Sequence, residues 1–166
     1  MHRKLKSLPY CLSLIESKIY IRSAYKHLED VKNIFLEYAQ MPDAEVCFAS
    51  FTEELNNLPD LYSLPYGRLY LAYLGRNIAG CIALKPVNDK VCEVKRLYVK
   101  PAYRSKGIAK KLLKKVLSEG KKQGYEEMIL ETLPNMTSAI SLYESFDFNR
   151  LSGSFENNII RFSKKL

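Results

Sequence analysis

The residues best suited to chemistry lie in one short stretch, Arg104-Ser105-Lys106-Gly107-Ile108-Ala109. It joins two different patterns. Before it, Cys92 to Val99 is rich in apolar and β-branched residues, as a buried strand is, and Pro101 closes the run because it offers no N–H to a ladder. After it, Ile108, Ala109, Leu112, Leu113, Val116 and Leu117 recur at helical spacing on one face. A strand, a small-residue turn and a helix start make an anion site. The first N–H groups of a helix have no internal acceptor, and the helix dipole adds partial positive charge. Gly107 leaves the backbone open to a ligand and Ala109 adds only a methyl, so a phosphate or pyrophosphate is the natural guest. Arg104 and Lys106 supply full charges beside it.

Other chemistry is sparse. The cysteines Cys11, Cys47, Cys81 and Cys92 are scattered, no pair has CxxC spacing, and only His2 and His27 accompany them. A zinc site or a disulfide framework is not expected, and reduced thiols in a cytoplasmic protein are. No Ser–His–Asp or Cys–His set is evident, so direct transfer is preferred to an acyl-enzyme.

The elements that must position the turn follow from periodicity. Ile19 to Ser23 alternates as a strand, and Leu28 to Ala39 is a helix with Leu28, Val31, Ile34, Phe35 and Tyr38 on its apolar face. A second helix is expected from Phe51 to Leu58. Arg68 to Leu74 and Ile78 to Leu84 form a hairpin about Gly75-Arg76-Asn77, and Pro86 to Lys90 leads into the strand Val91 to Val99. The basic helix spans about Lys106 to Gln123, with Gly124 as its stop. Glu127 to Thr132 is then a strand parallel to its neighbour, since it returns through a helix. Thr137 to Phe146 is a helix, and Phe148 to Leu151 with Ile159 to Phe162 is a final hairpin.

The Arg104-x-x-Gly107-x-Ala109 turn after Leu97-Tyr98-Val99 resembles the acetyl-CoA signature of the GNAT superfamily of N-acetyltransferases, R/Q-x-x-G-x-G/A. The segment Asn135 to Phe148 resembles that family's N-x-x-A-x-x-L-Y-E-x-x-G-F, with Asp147 where glycine is usual. The order of elements is also that of the GNAT fold over about Ile19 to Lys165. The resemblance implies an α/β (α+β) domain over residues 19–166, with residues 1–18 as an N-terminal extension. Its mixed, mostly antiparallel twisted sheet would have six or seven strands, with about four helices and splayed parallel strands four and five.

The resemblance also implies roles. The CoA arm would run along Leu97, Tyr98 and Val99, whose backbone donors would stabilise the developing oxyanion. The pyrophosphate would sit over Arg104, Ser105, Lys106, Gly107, Ile108 and Ala109. Asn135 would hold the CoA arm, and Tyr143 would protonate the leaving thiolate; a phenol's pKa of about 10 lies above a thiol's of about 8.5. The alternative for Tyr143 is a core aromatic. An acceptor amine must lose a proton, and Glu93 is the candidate base, acting directly or through water. Related sequences with an E-x-K-R-L-Y-V strand carry glutamate there. By strict alternation Glu93 shares a face with Lys95 and Leu97. The alternative is a Glu93 that only forms a salt bridge, and Glu131 is the reserve base or amine anchor.

At 166 residues, one domain is expected, and no run of about 20 apolar residues is present to cross a membrane. The basic start is not read as a signal peptide. The net charge of +8 is uneven: Arg104 to Gly124 holds eight bases and one acid, Glu119, whereas Asn33 to Gly67 holds six acids and no base. In this fold the acidic stretch would flank the acceptor, so a cationic amine is expected, with Tyr62, Tyr66 and Tyr70 packed against it. The expected partners are acetyl-CoA as cosubstrate and an amine-bearing acceptor, with no metal and no nucleic acid, in a monomer or homodimer. The alternatives are a basic nucleic-acid-binding or regulatory module, and a GNAT domain that binds acyl-CoA without catalysis.

Overall fold

A computed structural model describes residues 18–42, 51–153 and 158–166. The expected N-terminal extension therefore lies outside the described residues. The chain runs β1 (Ile19–Ser23), α1 (Leu28–Ala39), α2 (Phe51–Asn56), β2 (Arg68–Leu74), β3 (Asn77–Pro86), β4 (Val91–Val99), α3 (Ile108–Gln123), β5 (Glu127–Thr132), α4 (Thr137–Glu144), β6 (Asn149–Arg150) and β7 (Ile160–Lys165). The strands form one sheet in the order β1-β2-β3-β4-β5-β7-β6. Every neighbouring pair is antiparallel except β4 and β5. That exception is dictated by α3, because a connection through a helix returns the chain in the same direction. No described helix is long and apolar enough to cross a membrane.

Two clusters of buried side chains cover the two faces of the central strands. Val31, Ile34 and Phe35 of α1 pack with Leu69, Leu71, Cys81, Ala83 and Tyr98. On the other face Ile108, Leu112, Leu113, Val116 and Leu117 of α3 pack with Tyr70, Ile82, Leu84, Val94 and Leu130, and the cluster extends to Tyr143, Phe148 and Phe162. Each of these α3 side chains contributes about 1.5–3 kcal/mol by burial. The lone acid of the basic helix is also buried: Glu119 accepts hydrogen bonds from Arg68 Nε at 3.0 Å and Lys115 Nζ at 2.9 Å. Lys115 chiefly, with Arg68, holds its carboxyl down to about 2 against the opposing effect of burial.

The strand β4 breaks its own alternation. Its register against β3 shifts between Cys81 and Ala83, and Arg96 takes a left-handed φ of 58°. This is a β-bulge, with one extra residue on β4. Strict alternation from Glu93 fails there. Tyr98, not Leu97, follows onto the α1 face, and Leu97 and Val99 pack toward α3.

Boundaries shift by a few residues. The second helix ends at Asn56, not Leu58, because Pro59 follows; α3 begins at Ile108, after the left-handed Gly107; and α4 ends at Glu144. The last hairpin is uneven, with two residues in β6 against six in β7. Asp147, where glycine was the family's usual residue, does adopt the left-handed conformation, at φ 60°.

Candidate active site

The site begins where two strands part. Pairing of β4 with β5 runs from Val91 opposite Glu127 to Val94 opposite Leu130 and stops, although β4 continues to Val99. Beyond that point β5 keeps only its antiparallel partner β7, down to Thr132 opposite Ile160. The open edge of β4 has a definite polarity. The Lys100 N–H donates to the Ala79 carbonyl at 2.9 Å, so peptide planarity turns the Val99 carbonyl away from β3. Strand alternation turns the Val99 N–H the same way, along with the main chain of Leu97. Tyr98 lies between them with its main chain toward β3. Its hydroxyl donates to Glu37 at 3.0 Å, its ring stacks on Tyr38 5.0 Å away, and burial together with Glu37 pushes its pKa up to about 12.

A turn of 3₁₀ helix, Pro101–Tyr103, carries the chain from β4 to the start of α3. Ser105 and Gly107 both have left-handed φ, at 61° and 79°. Gly107 is the N-cap of α3 without a side-chain cap, and no acid occupies the first turn. The first helical bond is Lys111 N–H to Gly107 carbonyl, 3.1 Å, which leaves the N–H groups of Ile108, Ala109 and Lys110 without a helical acceptor. A Cβ placed on Gly107 would meet nothing within 4 Å. Arg104, Ser105, Lys106 and Gly107 are all exposed. The residues thus fit an anionic phosphate group. Arg104 does more than add charge: its Nε donates to the Val99 carbonyl at 3.0 Å, tying the turn to the end of β4.

A cavity of about 560 Å³ occupies the space between the parted strands, lined by Glu93, Leu97, Glu131, Thr132, Met136 and Tyr143 among others. Glu93 is 8% exposed and pairs with Lys95 Nζ at 3.3 Å. Glu93 is therefore salt-bridged and also lines the cavity. Glu131 lines the same cavity but is engaged by Arg161, whose Nε donates to it at 3.0 Å. Tyr143 is 6% exposed, its ring packing against Phe148 and Phe162 at centroid distances of 6.0 and 6.2 Å. It is a core aromatic that also lines the cavity.

Asn135 stands apart. It is exposed in the turn before α4, whereas Met136 is the N-cap of α4 and lines the cavity. From Asn135 to Ala139 the count is one residue longer than N-x-x-A, which puts Met136 at the asparagine's place in that spacing.

The expected aromatic wall does not assemble. Tyr62 alone of the three borders the cavity, but it is buried in the α1 cluster with its hydroxyl donating to Glu54 at 2.6 Å. Tyr70 faces α3, with Lys115 Nζ 5.1 Å from its ring centre, and Tyr66 is exposed. Period-2 alternation in β2 and the turn before it send the three in different directions. Of the acidic stretch, Glu53, Glu54 and Asp60 reach the cavity wall; Glu37 pairs with Lys100 at 2.9 Å, and Asp43 and Glu45 lie outside the described residues.

One feature at the cavity floor had no sequence signal. Arg96 of the bulge and Glu54 of α2 form a buried, two-pronged ion pair, Nε to Oε1 at 2.9 Å and a second bond from the other nitrogen to Oε2. Burial pushes the Glu54 carboxyl up, but Arg96 outweighs it and leaves the group below its usual range. The two residues are 42 apart in the chain, so no local pattern links them. The buried thiols offer no rival nucleophile: desolvation pushes both Cys81 and Cys92 up, Cys92 to about 12.

Known proteins resemble this chain in sequence and in fold. The sequence profile of the acetyltransferase (GNAT) family matches residues 28–148. An uncharacterized N-acetyltransferase of Schizosaccharomyces pombe is 34% identical, over 80% of this chain and 82% of its own. One of Dictyostelium discoideum is 29% identical, over 78% and 88%. An acetyltransferase structure from Streptococcus agalactiae superposes with a TM-score of 0.74 at 18% identity, covering 89% of this chain and 98% of its own. The PaiA N-acetyltransferase of Thermoplasma acidophilum, solved in complex with coenzyme A, gives 0.72 at 21% identity, over 90% and 99%. The parted parallel strands, the glycine-opened helix start behind them and these matches together place this chain in the GNAT family of acetyltransferases.

Proposed function

We propose that this protein moves an acetyl group from acetyl-CoA directly to a primary amine. One observation carries this reading: the Val99 main chain faces the gap left where β4 and β5 part, with the open helix start at Gly107 beyond its end and Tyr143 lining the same gap. Bound acetyl-CoA would supply the acetyl group as a thioester.

The chain's residues then have distinct tasks. The α3 N-terminus, with Arg104 and Lys106, holds the pyrophosphate. The Val99 N–H donates to the carbonyl oxygen as negative charge gathers there. Glu93 takes the proton of the incoming amine, directly or through water, as the N–C bond forms. Tyr143 gives its proton to sulfur as the C–S bond breaks, a direction that follows from a free phenol's pKa of about 10 lying above a free thiol's of about 8.5. Among the described residues the cavity wall carries five acids, Glu53, Glu54, Asp60, Glu93 and Glu131, against three bases, Lys85, Lys95 and Arg96, and this acidic excess supports a cationic acceptor.

Thermal unfolding with and without acetyl-CoA tests the reading, with a short random DNA duplex as comparison. Acetyl-CoA at 100 times its Kd stabilises by about 2.7 kcal/mol, a rise of roughly 5–11 °C. Thiol release on adding a polyamine is the expected second result. A rise with DNA and none with acetyl-CoA would overturn the assignment.

A further inference from the structure

The bulge at Arg96 decides which peptide groups of β4 reach the gap. Upstream, Ala83 lies opposite Lys95; downstream, Cys81 lies opposite Tyr98, one residue out of step. Without the extra residue the parity of everything after it would reverse. Val99 would then spend its main-chain groups on β3, and Tyr98 would turn its own into the gap. A left-handed φ of 58° is unfavourable for arginine, so something must hold it there.

The structure assigns that role to Glu54: its carboxylate clamps the Arg96 guanidinium and makes Glu54 a positioning residue for the backbone donor at Val99. The side chains of the pair are 7% and 4% exposed. Both carboxylate oxygens are used, and the Tyr62 hydroxyl donates a further bond to Oε1 at 2.6 Å. The Phe51 ring lies 5.7 Å from the guanidinium centre. Cys81 Sγ, at 3.2 Å from the Arg96 carbonyl, holds the backbone of the bulge itself. The clamp thereby ties α2, on the acceptor side, to the strand edge that would carry the acetyl group. The inference rests on the proposed acetyl transfer only where turnover and coenzyme A binding are read.

Two double variants separate positioning from mere stabilisation. Glu54→Leu with Arg96→Met removes both charges and refills the volume, so a structural role alone predicts a folded protein with wild-type Val99 exchange and coenzyme A affinity, less stable only by the acceptor that the Tyr62 hydroxyl loses in both double variants. Glu54→Leu with Arg96→Gly also removes both charges, but glycine takes positive φ without a clamp. Amide hydrogen exchange at Val99 is the direct readout and needs no ligand. The N–H should exchange freely in wild type and in the glycine variant, and about tenfold or more slowly in the methionine variant, where β3 claims it. Coenzyme A affinity by calorimetry should weaken about tenfold in the methionine variant and recover with glycine, and turnover should follow. Equal Val99 exchange in all three proteins would overturn the inference and leave the acetyl-transfer reading standing. Different exchange rates without coenzyme A binding by the wild type would support the clamp and overturn the acetyl-transfer reading.

Discussion

Gly107 offers the cleanest separation of backbone strain from charge. It is exposed, holds φ 79° and has open space where a Cβ would go. Replacement by Ala, Gln or Glu therefore meets no wall, and all three incur the same left-handed cost of about 1–2 kcal/mol. At this chain length that lowers Tm by roughly 2–8 °C, alike for the three. Affinity should then divide them. Ala leaves the N–H groups of Ile108, Ala109 and Lys110 reachable, and coenzyme A should bind within about threefold of wild type. Gln adds bulk without charge. Glu adds a negative charge about 5 Å from the bound phosphate, a repulsion of about 3 kcal/mol at an effective dielectric constant of 20. That weakens binding by a further factor of about 100 relative to Gln. Raising the salt from 0.05 to 0.5 M should narrow the gap between Gln and Glu, as screening acts on charge and not on bulk. Calorimetry with coenzyme A reads all of this. Equal affinities for the Gln and Glu variants would refute the placement of phosphate at this helix start.

Other outcomes can be checked more briefly. Tyr143→Phe should lower turnover about 100-fold with acetyl-CoA affinity nearly unchanged; an unaltered turnover number would leave Tyr143 a core residue only. Glu119, held down to about 2, contributes stability that is fully present above about pH 4.5 and lost as the pH falls toward 2. Glu119→Gln should therefore cost about 1.5–3 kcal/mol at neutral pH, and its melting curve should converge on the wild-type curve near pH 2. In Gly67→Ala the new Cβ would run into the Tyr62 backbone carbonyl, so a loss of about 3 kcal/mol or more is expected by denaturant unfolding. A loss below 1 kcal/mol would mean that this loop can shift.

The sequence by itself determined the order of the elements. Strands and helices announce themselves through periods of 2 and 3.6, and the glycine-opened start of α3 follows from the single stretch Arg104 to Ala109. Those are local signals; Glu93 stood out as an acid in its strand, Tyr143 came from the resemblance of its helix to the family's segment, and both line the cavity together with Glu131. The tertiary structure decided what depends on registers between distant segments. The bulge at Arg96 is invisible to alternation, and it moved Leu97 to the other face of the sheet. The parting of β4 from β5 appears only in their pairing, which ends at Val94 and Leu130. Tyr62, Tyr66 and Tyr70 look like one aromatic group in the chain, yet the loop and strand that carry them send them apart. The Glu54–Arg96 clamp joins two residues whose partnership no local spacing could reveal. A buried charge finds its partner through packing, and packing is settled only when all the layers are in place.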